Sequence, residues 1–332
     1  MTRLIGAGRR AAGTLPDMST REGRAVRYDR YGGVDELYVA GVGFDDPGPG
    51  RVLVEVHAAG INPGETALRE GVFAESWPST FPSGQGSDWA GVVAAVGEGV
   101  TDVEPGDDVF GWTDDRASQA THVDVPAEQV LRRPAGLDVV TAGVLYIAGT
   151  AAAASVASVD PQPGETVVVA GAAGGVGQIA VQLLTLRDVE VVGIASEHNH
   201  DRLRELAVTP VAYGSSPEET LANLRAATPD RVHAVVDLVG GGYVALAREL
   251  GVPAERINTI IDFEGAQAHG AATRGTADSA GRDDLAALGA LVADGALQVP
   301  IAAGYPLDGV REAYTELEKR HTAGKIVLLP QE

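Results

Sequence analysis

Residues 165–177 read Glu-Thr-Val-Val-Val-Ala-Gly-Ala-Ala-Gly-Gly-Val-Gly and run directly into an apolar-periodic segment, 178–186. A β-branched run, glycines at Gly171, Gly174 and Gly177, and a helix start predict a strand, a tight turn and a helix N-terminus, in that order. Such a turn is suited to cradling a phosphate. Glycine admits backbone angles closed to other residues, lets the main chain approach a pyrophosphate, and lets the helix pack closely on its strand. The free N–H groups of the first helical turn then face the anion. Ala173, Gly175 and Val176 lie in the same loop and join the candidate site. An ordinary glycine-rich turn would have the same composition, so the flanking pattern decides.

Downstream, residues 189–196, 210–214, 232–240 and 257–262 are β-rich, and helix-like segments at 199–207, 217–227 and 242–250 separate them. This alternation predicts an α/β unit with a doubly wound parallel sheet, over residues 141–289, whose first βα turn is the cradle.

The chain's 332 residues allow about two domains, and its 45% apolar content is that of an ordinary globular protein. The longest apolar runs, such as 147–156, are too short and too rich in Ala and Gly to cross a bilayer. With no cysteine, disulfides and thiolate metal sites are excluded. A formal charge of −21 argues against nucleic acid or an anionic membrane as main partner, since both require a basic patch. Residues 1–17 contain Arg3, Arg9 and Arg10 but no apolar stretch of signal-peptide length. They are expected to be a disordered extension, running to residue 23, or to precede a start at Met18. A cytoplasmic location is the accompanying expectation.

From Arg24 to about Pro134, short strands alternate with Gly- and Pro-rich turns, which indicates a compact β-rich unit. Residues 298–305, the helix-like 310–319 and the strand 325–329 contain no second cradle and are expected to close back onto that unit. The alanine-rich 148–157 reads as a buried linker helix.

The ordered series Ala59-Gly60-Ile61-Asn62-Pro63, Gly86-Ser87-Asp88-Trp89-Ala90-Gly91-Val92-Val93, Val103-Glu104-Pro105-Gly106-Asp107-Asp108-Val109, the cradle, and Gly324-Lys325-Ile326-Val327 resembles the zinc-free quinone oxidoreductase, or zeta-crystallin-like, branch of the medium-chain dehydrogenase/reductase superfamily. The likeness runs collinearly over about residues 24–329. It implies a GroES-like, partly barrel-shaped catalytic domain (24–140, completed by 290–332), an inserted Rossmann domain, and an active site in the cleft between them. It also implies a homodimer, joined through an unpaired apolar sheet edge at 257–261.

NAD-selecting domains place a carboxylate at the end of the second strand, about twenty residues past the glycines. Here that strand ends at Ser196, which cannot repel a 2′-phosphate, and Asn199, His200 and Arg202 follow. By the resemblance, Ser196 and Tyr213 contact the 2′-phosphate of NADPH, the expected cofactor; Glu197 would invert the preference if it turned onto the ribose. His198 and His200 have no third ligand at suitable spacing, and no metal is expected.

A zinc-dependent relative would have a cysteine near Asn62 and Gly-His-Glu at Gly86-Ser87-Asp88, and both are missing. The chemistry implied is metal-free hydride transfer to a small-molecule quinone or activated enone. Asn62 and Glu65 are the family's positions beside the nicotinamide, although Asn62 also suits a turn before Pro63 and Glu65 a structural carboxylate. Two aromatic positions of some bacterial quinone reductases are Ala67 and Phe73 here. Tyr146 stands where the subgroup usually has proline, and is either a proton donor or a packed helix-start residue. Gly149, Thr150 and Ala151, with Leu238, Val239, Ile261 and Asp262, are expected along the nicotinamide half of the cofactor. Lys325 would neutralise a phosphate or carboxylate, or lie on the surface. The alternatives to such an enzyme are a tailoring enoyl or ketone reductase of a polyketide-like pathway, and a non-catalytic NADPH-binding sensor or structural protein. The loops 71–85 and 263–281, which should shape the acceptor pocket, match no motif.

Overall fold

The computed structural model describes residues 20–228, 231–319 and 322–332. Its first unit contains strands β1 (Arg21–Arg27), β2 (Tyr38–Phe44) and β3 (Arg51–Gly60), helix α1 (Pro63–Arg69), then β4 (Asp88–Val96), β5 (Asp108–Trp112), β6 (His122–Pro126) and β7 (Val130–Arg132). Helices α2 (Val139–Ala142) and α3 (Leu145–Ser158) lead into the second unit. That unit runs β8 (Thr166–Ala170), α4 (Gly175–Thr185), β9 (Glu190–Ala195), α5 (His200–Glu205), β10 (Thr209–Ala212), α6 (Pro217–Ala227), β11 (Ala234–Asp237), α7 (Tyr243–Glu249), β12 (Ile257–Thr259), α8 (Phe263–His269) and α9 (Arg282–Ala293). The chain then returns to the first unit with β13 (Ile301–Pro306), α10 (Val310–Glu318) and β14 (Lys325–Leu329).

The second unit is the predicted doubly wound domain. Its sheet is parallel in the order β10-β9-β8-β11-β12. Helices cover both faces, so the central strands are apolar without alternation, as in Thr-Val-Val-Val-Ala of β8. The chain leaves β8 toward β9 on one side and later fills β11 on the other. The cradle therefore lies at the topological switch point, where such sheets bind ligands. In the first unit, antiparallel β3, β4, β5 and β7 form a sheet that β14 and β13 extend from the edge of β3, while β6 also pairs with β3. Trp89, Val54, Val125, Ile326 and Tyr314 are among its packed core residues.

α3 joins the units. Its run of alanines is buried on nearly every side, which lets α4 and α9 approach closely.

Three expectations change. The first unit starts before Arg24: β1 begins at Arg21 and pairs residue for residue with β2, Arg21 opposite Phe44. The charged start of this strand hides it from apolar patterning. The expectation for residues 1–19 lies outside the described residues. The boundary at 289/290 falls inside α9, which continues to Ala293 because Gly289 packs against Phe110 and causes no break. Finally, the sheet edge at β12 is not unpaired. Thr259 N–H donates to Ala272 O at 3.0 Å, and Ala272 N–H to Ile257 O at 2.9 Å. The Asn258 side chain clamps Arg274 through both its main-chain groups.

Candidate active site

The three cradle glycines serve different purposes. Gly171 has φ +80°, the left-handed region, and a Cβ there would lie 2.5 Å from Val239 Cγ1. Gly177 allows the helix to pack on its strand, since a Cβ would come within 2.0 Å of Gly171 O. Gly174, the residue before α4, has an ordinary extended backbone (φ −73°, ψ 172°), which corrects the expectation of a special turn angle. A Cβ there would meet only Gly171 O, at 3.4 Å, and otherwise open space. An anionic group fits that space at the N-terminus of an 11-residue helix.

Around this opening a cleft is lined by Gly171, Ala173, Gly174, Ala195, Ser196, His198, Asn199, Tyr213, Val239 and Thr322. Among the described residues, no carboxylate belongs to the lining. Ser196 is half-buried, while Glu197 is exposed and outside the cleft. Arg202 departs from expectation. Its guanidinium is engaged by Gln178 Oε1 (3.4 Å), Gln298 Oε1 (2.9 Å) and Glu205 (3.2 Å), and it does not line the cleft. His200 is tied to Ala195 O at 3.2 Å.

A buried polar cluster sits at the junction of the units. The loop between β3 and α1 brings Asn62 into it, the first turn of α1 adds Glu65, the first residue of β4 adds Asp88, and the first residue of β14 adds Lys325. Asn62 Nδ2 donates to Asp88 Oδ2 at 2.7 Å and to Glu65 Oε1 at 3.1 Å, while Asn62 Oδ1 accepts from Lys325 Nζ. Lys325 also donates to Ile61 O at 3.3 Å. Glu65 Oε2 accepts from Asn62 N–H (3.0 Å), Gln119 Nε2 (3.1 Å) and Tyr314 OH (2.5 Å). Asp88 Oδ1 accepts the N–H of Ile147 at 2.6 Å and so holds the first turn of α3. Burial pushes Glu65 and Asp88 above the usual carboxylate range, with Lys325 opposing the shift at Asp88. Burial pulls Lys325 below the usual lysine range, against the pull of both carboxylates. The Asn62 amide is thus committed at both ends, and Lys325 is no surface lysine.

Other expected residues divide. Tyr146 stacks on Trp112, ring centroids 4.6 Å apart and nearly parallel. Burial, then the charges of Asp114 and Asp88, push its phenol up to about 12. Gly149 faces Leu288 of α9, and Thr150 is fully buried with its hydroxyl donating to Tyr146 O at 2.6 Å, so these two positions serve helix packing. Ala151 is buried beside them. Leu238 is partly buried against the core, and Val239 and Ile261 are open to solvent at the sheet's C-terminal end. The Asp262 carboxylate caps α8 by accepting Gly265 N–H at 2.9 Å.

Sequence reading missed Asp237, Thr259, Gln119 and Tyr314 as site-building residues. Asp237 Oδ1 accepts Val239 N–H (3.1 Å) and Gly240 N–H (2.9 Å), and its Oδ2 accepts Thr259 Oγ1 (2.8 Å). Thr259 Oγ1 in turn accepts the N–H groups of Ile261 and Asp262. One buried pair thus fixes both loops at the mouth of the sheet. A polar residue ending an otherwise apolar strand was the available signal. Among the described residues, no group of three or more His, Cys, Asp or Glu side chains is placed to hold a metal ion.

Two family models match the chain: alcohol dehydrogenase GroES-like domain over residues 48–162, and zinc-binding dehydrogenase over residues 210–328. The human synaptic vesicle membrane protein VAT-1 homolog is 34% identical over 218 residues, 64% of this chain and 54% of that one. The chain spans about half the length of the VAT-1 homologs it matches. An NADPH-dependent alkenal/one oxidoreductase, chloroplastic, of Arabidopsis thaliana is 28% identical over 93% of this chain and 80% of its own. The solved quinone oxidoreductase from Coxiella burnetii superposes with a TM-score of 0.82 at 26% identity, covering 93% of this chain and 99% of that one. With both models collinear with the two units and a whole-chain superposition joining them in the same order, the chain belongs to the medium-chain dehydrogenase/reductase superfamily.

Proposed function

We propose that the protein is an NADPH-dependent oxidoreductase that reduces a quinone or an α,β-unsaturated carbonyl without a metal. The observation that carries this reading is the cleft at the switch point: an open Gly174 at a helix N-terminus beside Ser196, in a lining that among the described residues contains no carboxylate. The names of the Arabidopsis and Coxiella relatives favour the same chemistry.

The nicotinamide, when bound, supplies the hydride. The chain's own residues bind and align. The N–H groups opening α4 would face the diphosphate, and Ser196, Asn199 and Tyr213 would surround the 2′-phosphate. Asp237 and Thr259 hold Val239 and Ile261 as an apolar wall. Tyr146, its phenol neutral at every physiological pH, is a donor that keeps its proton until an oxyanion forms nearby. A quinone or enone suits this inventory because it accepts electrons readily and asks for little electrophilic help.

The test is NADPH oxidation followed at 340 nm with 1,4-benzoquinone, 9,10-phenanthrenequinone and an alkenal, each with and without a chelator. Acceptor-dependent turnover that survives chelation is expected. A protein that binds NADPH yet consumes none with any acceptor would refute the reading in favour of a sensor or structural role. We also propose a homodimer, by analogy with the superfamily.

A further inference from the structure

Three ionisable side chains at the junction are joined by one amide. Glu65, Asp88 and Lys325 are each at most 6% exposed and converge on Asn62. Lys325 reaches that point by crossing the N-terminus of α4: a Cβ at Gly175 would lie 2.9 Å from its Cδ and 3.6 Å from its Cγ. Its strand belongs to the catalytic unit, and its stem lies on the cradle. With all three groups ionised and Tyr314 neutral, the unit has two negative charges and one positive. The other charged groups facing it are distant or engaged: Arg69 lies over the Tyr314 ring and pairs with Glu318, and Asp114 acts from beyond Tyr146.

We infer that Glu65, Asp88 and Lys325 act as one buried proton-binding unit, which takes up a proton when the diphosphate of a dinucleotide docks at the N-terminus of α4. The diphosphate brings further negative charge beside the Lys325 stem. If the ammonium stays, the carboxylates gain a like-charged neighbour; if it turns toward the phosphates, they lose their counter-ion. Both changes strengthen proton binding by the carboxylates, and in a buried setting the interaction is weakly screened. Burial already pushes the two carboxylates up and the ammonium down, so each is held away from its charged form before any ligand arrives.

The inference rests on the dinucleotide reading of the cradle, and the experiment separates the two. The full chain is titrated calorimetrically with NADPH and with NADH, at pH 7 and 8, in buffers of different ionisation enthalpy. NADH is included because the 2′-phosphate of NADPH titrates in its own right. The expected result is an uptake of about half a proton or more with both nucleotides, and an affinity that falls about threefold per pH unit. Lys325→Met removes the counter-ion whose balance the diphosphate disturbs, so uptake falls well below the wild-type value. Should that variant not fold, Asp88→Asn leaves a neutral Glu65–Lys325 pair and reduces the uptake in the same way. Binding with no buffer-dependent heat, or full uptake in Lys325→Met, overturns the inference alone. Failure to bind either nucleotide overturns the cofactor reading and the inference together.

Discussion

Replacing Glu65 by Ala should destabilise the protein by about 3–5 kcal/mol, and Glu65→Gln by only about 1. The truncation removes the acceptor of four donors: Asn62 N–H, Asn62 Nδ2, Gln119 Nε2 and Tyr314 OH. Tyr314 OH keeps only the bond it accepts from Gln119 Nε2, so its own proton loses its acceptor, while Asn62 Nδ2 keeps Asp88. The Asn62 N–H is left with no acceptor in a buried place, at a cost of about 1–3 kcal/mol, and each weakened bond adds roughly 0.5–1.5 kcal/mol. Relief of the buried carboxylate's desolvation offsets part of this. In the Gln variant the amide oxygen can replace Oε2, and one donor then faces a donor. The sign of the pH dependence follows from the raised pKa of Glu65. The native state holds the proton more tightly than the unfolded chain, so this group's contribution is most favourable at low pH and is lost as pH rises through the folded value. Thermal and urea unfolding between pH 5 and 8 measure both effects; the Gln variant should show a flatter profile than wild type. An Ala variant within about 1 kcal/mol of wild type would refute the structural role. So would a Gln variant of native stability that had lost turnover a hundredfold, which would make Glu65 a catalytic acid.

Gly174→Val should fold, since its Cβ meets open space, yet lose NADPH binding in a fluorescence titration; wild-type affinity in the folded variant would remove the cradle from the account. Ser196→Asp should erase or reverse a preference for NADPH over NADH in kcat/KM, because like charges about 4 Å apart at an effective dielectric near 20 repel by about 4 kcal/mol, reduced by solvent at this half-buried position. Arg202→Ala should leave that preference nearly unchanged, given the partners its guanidinium already has, and a large NADPH-specific loss would show that it turns into the cleft. Light scattering at micromolar concentration should give twice the monomer mass; a monomer would count against the proposed dimer.

The doubly wound sheet was readable because its signals are local: a β-branched strand, glycines at fixed offsets and a helix start all lie within Glu165–Leu186. Helix α6 was legible to the residue, since Ser216 and Pro217 mark its start. What stayed hidden depends on contacts across the chain. Lys325 read as either a surface lysine or a counter-ion because nothing beside it in sequence shows that Gly175 opens its way to Asn62. Asp88 was read only as part of the stretch that stands where a zinc-dependent relative has Gly-His-Glu, and its two oxygens tie Asn62 to the first turn of α3. Arg202 is the reverse case: proximity in sequence to Ser196 suggested a phosphate contact, and Gln178 and Gln298, far from it in sequence, bond its guanidinium.

The crossing of Lys325 over α4 also bears on how the molecule assembles. Its ammonium bonds to Asn62 and Ile61 across more than 260 residues of chain, and β14 joins the sheet of the first unit by pairing with Gly60 and Ala59 of β3. The second unit between them contains its own sheet and cradle and can form as a unit. The junction cannot. Until residues 325–329 have joined β3, Asn62 lacks its cation and the floor beneath Gly175 is absent. Before that pairing the phosphate turn can already be shaped while the amide of Asn62 behind it has no ammonium to bind.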